Sequence, residues 1–109
     1  MALSSPIIDL GPDDVRRGLD DGSIVVVDVR EPNELAGGMI PGSLSMPLSR
    51  FDPSALPDDR RIVFSCAAGV RSRTAIEASR RAGLDVNEHL GGGFRSWLAS
   101  GEPVHIPAD

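Results

Sequence analysis

The chain has 109 residues, enough for one domain (core about 7–104) and too few for two. Hydrophobic residues make up 40 % and charged residues 25 %, ordinary globular usage that excludes wholesale disorder. The net charge is −5, every basic residue is arginine and Cys66 is the single cysteine. This disfavours nonspecific nucleic-acid binding, removes lysine chemistry and leaves no intramolecular disulfide.

Twelve glycines and nine prolines make up about a fifth of the chain, and they punctuate it into many short elements. Ile7 to Asp9 reads as a short strand. Gly11-Pro12-Asp13-Asp14 opens a helix: glycine caps, proline suits the first position and the aspartates favour the positive end. That helix runs to about Asp20 and stops at Gly22. Ser23 to Val29 is a continuous β-branched run, which suits a strand buried on both faces of a parallel sheet. Pro32 to Ala36 forms a short helix closed by Gly37-Gly38, and Ser43 to Met46 a weak strand. Arg61 to Ser65 is a second apolar strand, with Cys66 at its end. A helix follows from near Val70 to Gly83, with Ala75, Ile76, Ser79 and Ala82 on one small-residue face. Arg73–Glu77 and Glu77–Arg81 are spaced as i,i+4 ion pairs. Val86 to Leu90 is a last strand, and Gly91-Gly92-Gly93 leads into a helix from Phe94 to Ser100. This alternation predicts an α/β sandwich around a mostly parallel sheet.

No repeat or linker interrupts the pattern. Met1 to Ile8 lacks a basic, apolar leader, and the longest apolar run, Ile24 to Val27, is too short to span a bilayer. A soluble cytoplasmic protein with no membrane partner is expected, and a free thiol suits a reducing compartment. Two histidines and one cysteine at 66, 89 and 105 do not make a zinc site, and no metal or cofactor is expected.

In open α/β sheets chemistry sits at the C-terminal strand ends. Cys66 falls there, and so does Asp28-Val29-Arg30-Glu31. Ala67-Ala68-Gly69-Val70-Arg71 then forms a short loop with a helix behind it. Such a loop turns backbone N–H groups inward as an anion cradle, and a thiolate is the anion it would hold. A cysteine of pKa near 8.5 is only about 3 % ionised at pH 7, and lowering it by two units takes about 2.7 kcal/mol. A helix end, several N–H groups and Arg71 could together supply that. Residues 60–81 hold six arginines against one acid, a net +5, while the rest of the chain carries −10. Arg80 and Arg81 read as a solvated helix end. Arg71 opposes the dipole at the helix start, which points to a loop or substrate role.

The runs Val-Val-Asp-Val-Arg-Glu-Pro (26–32), Gly-Gly-Met-Ile-Pro-Gly-Ser (37–43, with Glu34 before it), Phe-Ser-Cys-Ala-Ala-Gly-Val-Arg-Ser (64–72) and Leu-Gly-Gly-Gly-Phe-Arg-Ser-Trp (90–97) resemble a single-domain rhodanese. The resemblance implies a three-layer sandwich with a five-stranded parallel sheet flanked by helices. It also implies a sulfurtransferase in which Cys66 takes sulfane sulfur from a donor such as thiosulfate. The resulting persulfide passes the sulfur to cyanide, a small thiol or a protein thiol. Cys66 would be the nucleophile, and Ala67, Ala68, Gly69, Val70, Arg71 and Ser72 the active-site loop. Arg71 would hold an anionic donor, and Asp28 and Arg30 would brace the loop. Related phosphoester-cleaving members resemble Cys-x5-Arg, one residue longer than the six-residue span from Cys66 to Arg71. That disfavours a phosphatase.

Met39 stands where many members have histidine, and a packing change is expected there. Ala67, Ala68 and Val70 carry neither charge nor hydroxyl, so donor recognition by the loop rests on backbone N–H groups and Arg71. That leaves room for a protein or low-molecular-weight persulfide as donor. An exposed Arg30–Glu34 ion pair is expected, Trp97 anchors the last helix in the core, and Gly91 to Gly93 form a tight turn. His89, in a strand, and His105, in a frayed C-terminus, receive no role. A noncatalytic binding or redox-sensing module is the competing reading. With no second cysteine to resolve it, a persulfide needs an external acceptor.

Overall fold

A computed structural model describes residues 5–108. Five strands form one sheet: β1 (Ile8–Leu10), β2 (Ile24–Asp28), β3 (Leu44–Ser45), β4 (Arg61–Ser65) and β5 (Glu88–Leu90). Their spatial order is β1-β5-β4-β2-β3, and every neighbouring pair is parallel. The helices are α1 (Pro12–Asp20), α2 (Pro32–Leu35), α3 (Arg71–Arg81) and α4 (Gly93–Ala99). The α/β class and the element order match the sequence reading. Two 3-10 turns, Leu48–Arg50 and Pro53–Ala55, were not expected.

All five residues of β2 are buried, as its unbroken β-branched run requires. Side chains alternate between the two faces of the sheet. Ile24, Val26, Val63 and Leu90 point to one side, where α1 supplies Val15 and α4 supplies Phe94 and Trp97. Val27, Phe64 and Cys66 point to the other, against Ala75 and Ile76 of α3. Trp97 is fully buried, and its Nε1 donates to Pro103 O at 2.7 Å, so it is the expected anchor. On α3, Ala75, Ile76 and Ser79 are buried as expected, but Ala82 is exposed at the helix end.

Several local expectations give way to long-range contacts. Arg80 is not solvated: it is 7 % exposed, and its Nε donates to Val86 O at 2.8 Å. Among the described residues neither Arg73–Glu77 nor Glu77–Arg81 closes; Arg73 reaches Asp9 at 3.4 Å instead. His105 is not frayed either. It forms an antiparallel bridge with Met39, with a 2.8 Å hydrogen bond in each direction. No helix among the described residues is long and apolar enough to cross a membrane.

Candidate active site

β4 delivers Cys66 to the C-terminal edge of the sheet, and the register pairs Ser65 with Asp28. The two sites that the sequence places at strand ends are therefore neighbours. Cys66 is 1 % exposed. The loop folds back over its sulfur, and the N–H of Gly69 donates to Sγ at 3.1 Å. Gly69 has φ +95°, a conformation that a side chain would strain. Burial pushes the Cys66 thiol up, but the hydroxyl and N–H of Ser72 and the N–H groups of Gly69 and Ala68 outweigh it. The thiol is held below its ordinary value, as the cradle reading expects.

Arg71 opens α3 and forms a two-pronged ion pair with Glu34, at 2.6 and 2.9 Å. The pair holds the Glu34 carboxyl at about 2, well below the usual carboxylate range. Glu34 caps α2 as well, accepting from the N–H of Glu31 at 2.9 Å. The guanidinium that the sequence offers to an anionic donor is thus already matched by a carboxylate.

The expected Arg30–Glu34 pair does not form. Arg30, 4 % exposed, turns back on Asp28: its backbone N–H donates to Oδ1 at 3.0 Å, Nε to Oδ1 at 3.1 Å and Nη2 to Oδ2 at 2.8 Å. Nη2 also donates to Gly38 O at 2.9 Å, and the guanidinium lies 4.3 Å from the centre of the Phe94 ring. Burial selects this arrangement, because an aspartate inside an apolar strand needs a charged, hydrogen-bonding partner close by. Asp28 and Arg30 tie the end of β2 to the Gly38 turn and to α4.

Gly91-Gly92-Gly93 forms the expected tight turn, and that turn also touches the site. A Cβ on Gly93 would run into the Cys66 carbonyl. Behind it the N–H groups of Phe94 and Arg95 donate to Cys66 O at 2.7 Å and Ala67 O at 3.1 Å. The start of α4 therefore fixes Cys66 and the first residue of the loop.

The positive segment is largely neutralised in three dimensions. Arg61 binds Glu88, Arg71 binds Glu34, Arg73 approaches Asp9 and Arg60 approaches Asp59. Counting charge along the chain misses acids that the fold brings in from outside the segment.

His89 is the residue that the sequence reading passed over. It is 2 % exposed, with Nδ1 2.6 Å from Ser72 Oγ and Nε2 2.5 Å from Asp9 Oδ1. Strand alternation held the missing signal. Asp9 and His89 face each other in register, on the side of the sheet that α3 covers. Among the described residues no group of three or more His, Cys, Asp or Glu is placed to hold a metal.

A parallel α/β sandwich with a thiol cradle at the end of a central strand is a defined class of protein. Residues 11–100 match the rhodanese-like domain, and the chain belongs to that family. It is 34 % identical over 94 residues to a sulfurtransferase of Allochromatium vinosum, covering 84 % of this chain and 88 % of that protein. It is 35 % identical over 99 residues to an uncharacterized Synechocystis protein, covering 89 % of this chain but only 55 % of that one. The crystal structure of a rhodanese-related protein from Thermoplasma volcanium superposes with a TM-score of 0.80 at 33 % identity, covering 91 % of this chain and 98 % of that chain.

Proposed function

We propose that this domain moves sulfane sulfur from a donor to a thiophilic acceptor through a persulfide on Cys66. In the first half-reaction the Cys66 thiolate attacks the outer sulfur of a persulfide or of thiosulfate. A sulfur–sulfur bond forms on Cys66 as the donor's own breaks, and a thiolate or sulfite departs with the electron pair. In the second, cyanide or a thiolate takes the outer sulfur and returns the Cys66 thiolate. Charge balances in both halves, and no cofactor enters.

The observation that carries this reading is the buried Cys66 sulfur with the Gly69 N–H aimed at it from 3.1 Å. Backbone donors that favour a thiolate also favour the terminal sulfur of a persulfide, where the charge sits one atom further out. The rim favours a persulfide donor over thiosulfate. Val70 is 72 % exposed, Ala68 is exposed, and Arg71 is occupied by Glu34. Discharge falls to a small thiol, cyanide or a partner protein, since Cys66 is the sole cysteine of the sequence. A reducing, cytoplasmic setting suits such a lone thiol.

Intact mass measurement after exposure to thiosulfate, glutathione persulfide or a sulfur-loaded cysteine desulfurase tests the proposal. One added sulfur atom on the wild type, released as thiocyanate by cyanide and absent from Cys66→Ser, is expected. Oxygen adducts alone, or no adduct with any donor, would overturn it in favour of a sensing or binding module.

A further inference from the structure

Side chains take both ring nitrogens of the buried His89, Asp9 at Nε2 and Ser72 at Nδ1. The same Ser72 Oγ lies 3.5 Å from Cys66 Sγ. We propose that Ser72, His89 and Asp9 form a relay that removes the Cys66 thiol proton before the sulfur attacks its donor. The relay deepens the persulfide reading and rests on it for naming Cys66 the nucleophile.

Valence sets the direction of the relay. An ionised carboxylate only accepts, so Asp9 fixes the ring proton on Nε2. Nδ1 of the neutral ring is then an acceptor, and the hydroxyl beside it must donate. Ser72 has one proton to give, so its oxygen accepts from the Cys66 S–H. Every donor therefore points from the sulfur toward Asp9. Two protons move one step each: the S–H and the Ser72 O–H break, and a new Ser72 O–H and an Nδ1–H form. A thiolate, an intact serine and an imidazolium beside Asp9 result. Nothing is oxidised or reduced, and no proton leaves the relay. The new Ser72 O–H then points at the sulfur, beside the Gly69 N–H.

The surroundings of His89 fit the role. The charged groups nearest the ring are Asp9 on β1, at Nε2, and Arg73 on α3, which lies 3.4 Å from that carboxylate. Glu88, next to His89 on β5, is held by Arg61. The loop presents Gly69 and β4 presents Phe64, both uncharged. Histidine is a costly choice for packing alone at 2 % exposure, because both nitrogens then need partners.

The test is the rate of Cys66 alkylation by iodoacetamide across pH, which needs no sulfur donor. It reads the relay even if the donor experiment above fails. His89→Gln and Asp9→Asn are each expected to slow alkylation roughly tenfold at pH 7, by displacing the profile upward about one pH unit. The wild-type rate returns at high pH. A profile that does not move, or one slowed equally at every pH, would overturn the relay. The Asp9 side chain is 60 % exposed, so Asp9→Asn decides the matter should His89→Gln fail to fold. Nitrogen NMR of Cys66→Ser provides a check without touching the relay: a neutral His89 ring protonated on Nε2 is expected, and one protonated on Nδ1 sinks the proposal.

Discussion

Glu34 shows how a single side chain couples the site to the stability of the fold. Its carboxyl sits at about 2 in the folded chain against 4.5 unfolded, chiefly because Arg71 donates to it. A depressed carboxylate stabilises the folded state fully above the unfolded value, and that contribution is lost as pH falls toward the folded one. The window here runs from about 4.5 down to about 2. Urea unfolding is therefore expected to show wild type losing more stability than Glu34→Gln between about pH 6 and about pH 2. Equal losses would remove the ion pair from the account. This pair was not legible in the sequence. Spacing suggested Arg30 as the partner of Glu34, but burial commits Arg30 to Asp28, and Arg71 arrives from 37 residues away. Cys66 and its loop were legible, because a strand end, a glycine and a helix start are all local features.

At the scale of elements, the site depends on how closely α4 approaches the loop. Gly93 has φ +62°, and a Cβ there would meet the backbone of Cys66 and Ala67. Gly22 has φ +76° but nothing within 4 Å of such a Cβ. Gly22→Ala is expected to cost about 1 kcal/mol, the left-handed backbone penalty alone. Gly93→Ala carries that penalty and also displaces the loop, so alkylation of Cys66 should change in Gly93→Ala and stay at the wild-type rate in Gly22→Ala. Thermal unfolding with the alkylation assay separates the two effects. The glycine run read as a tight turn, and so it is. Its contact with Cys66 was hidden, because Gly93 lies 27 positions along the chain from Cys66.

On the scale of the molecule, the C-terminal segment closes the structure. Pro103 O accepts from Trp97 Nε1, and His105 pairs with Met39. Truncation after Glu102 removes these partners and leaves the fully buried indole N–H without one. Unfilled buried donors cost about 1–3 kcal/mol each. The urea midpoint should fall accordingly, whereas a midpoint equal to that of the full chain would return the segment to a frayed tail. Met39 and Ile106, with Pro32, Leu35 and Ser45, line a cavity of about 660 Å³ beside this junction. Met39 is half-buried at this junction, its backbone paired with His105.

The class of fold, the order of its elements and the position of the thiol were all readable along the chain. Each of these follows from short-range signals: β-branched runs, glycine and proline punctuation, and helix starts. Tertiary structure decided which charges meet. Arg71 found Glu34, Arg30 stayed with Asp28, and Arg73 turned to Asp9. It also brought His89 and Asp9 together across parallel strands, 80 residues apart in the chain. Long side chains pair with whatever the sheet and helices bring within reach, and that proximity is set by strand order and register. The single cysteine of this lysine-free chain is thereby a thiol held by backbone donors, with a buried imidazole two hydrogen bonds away.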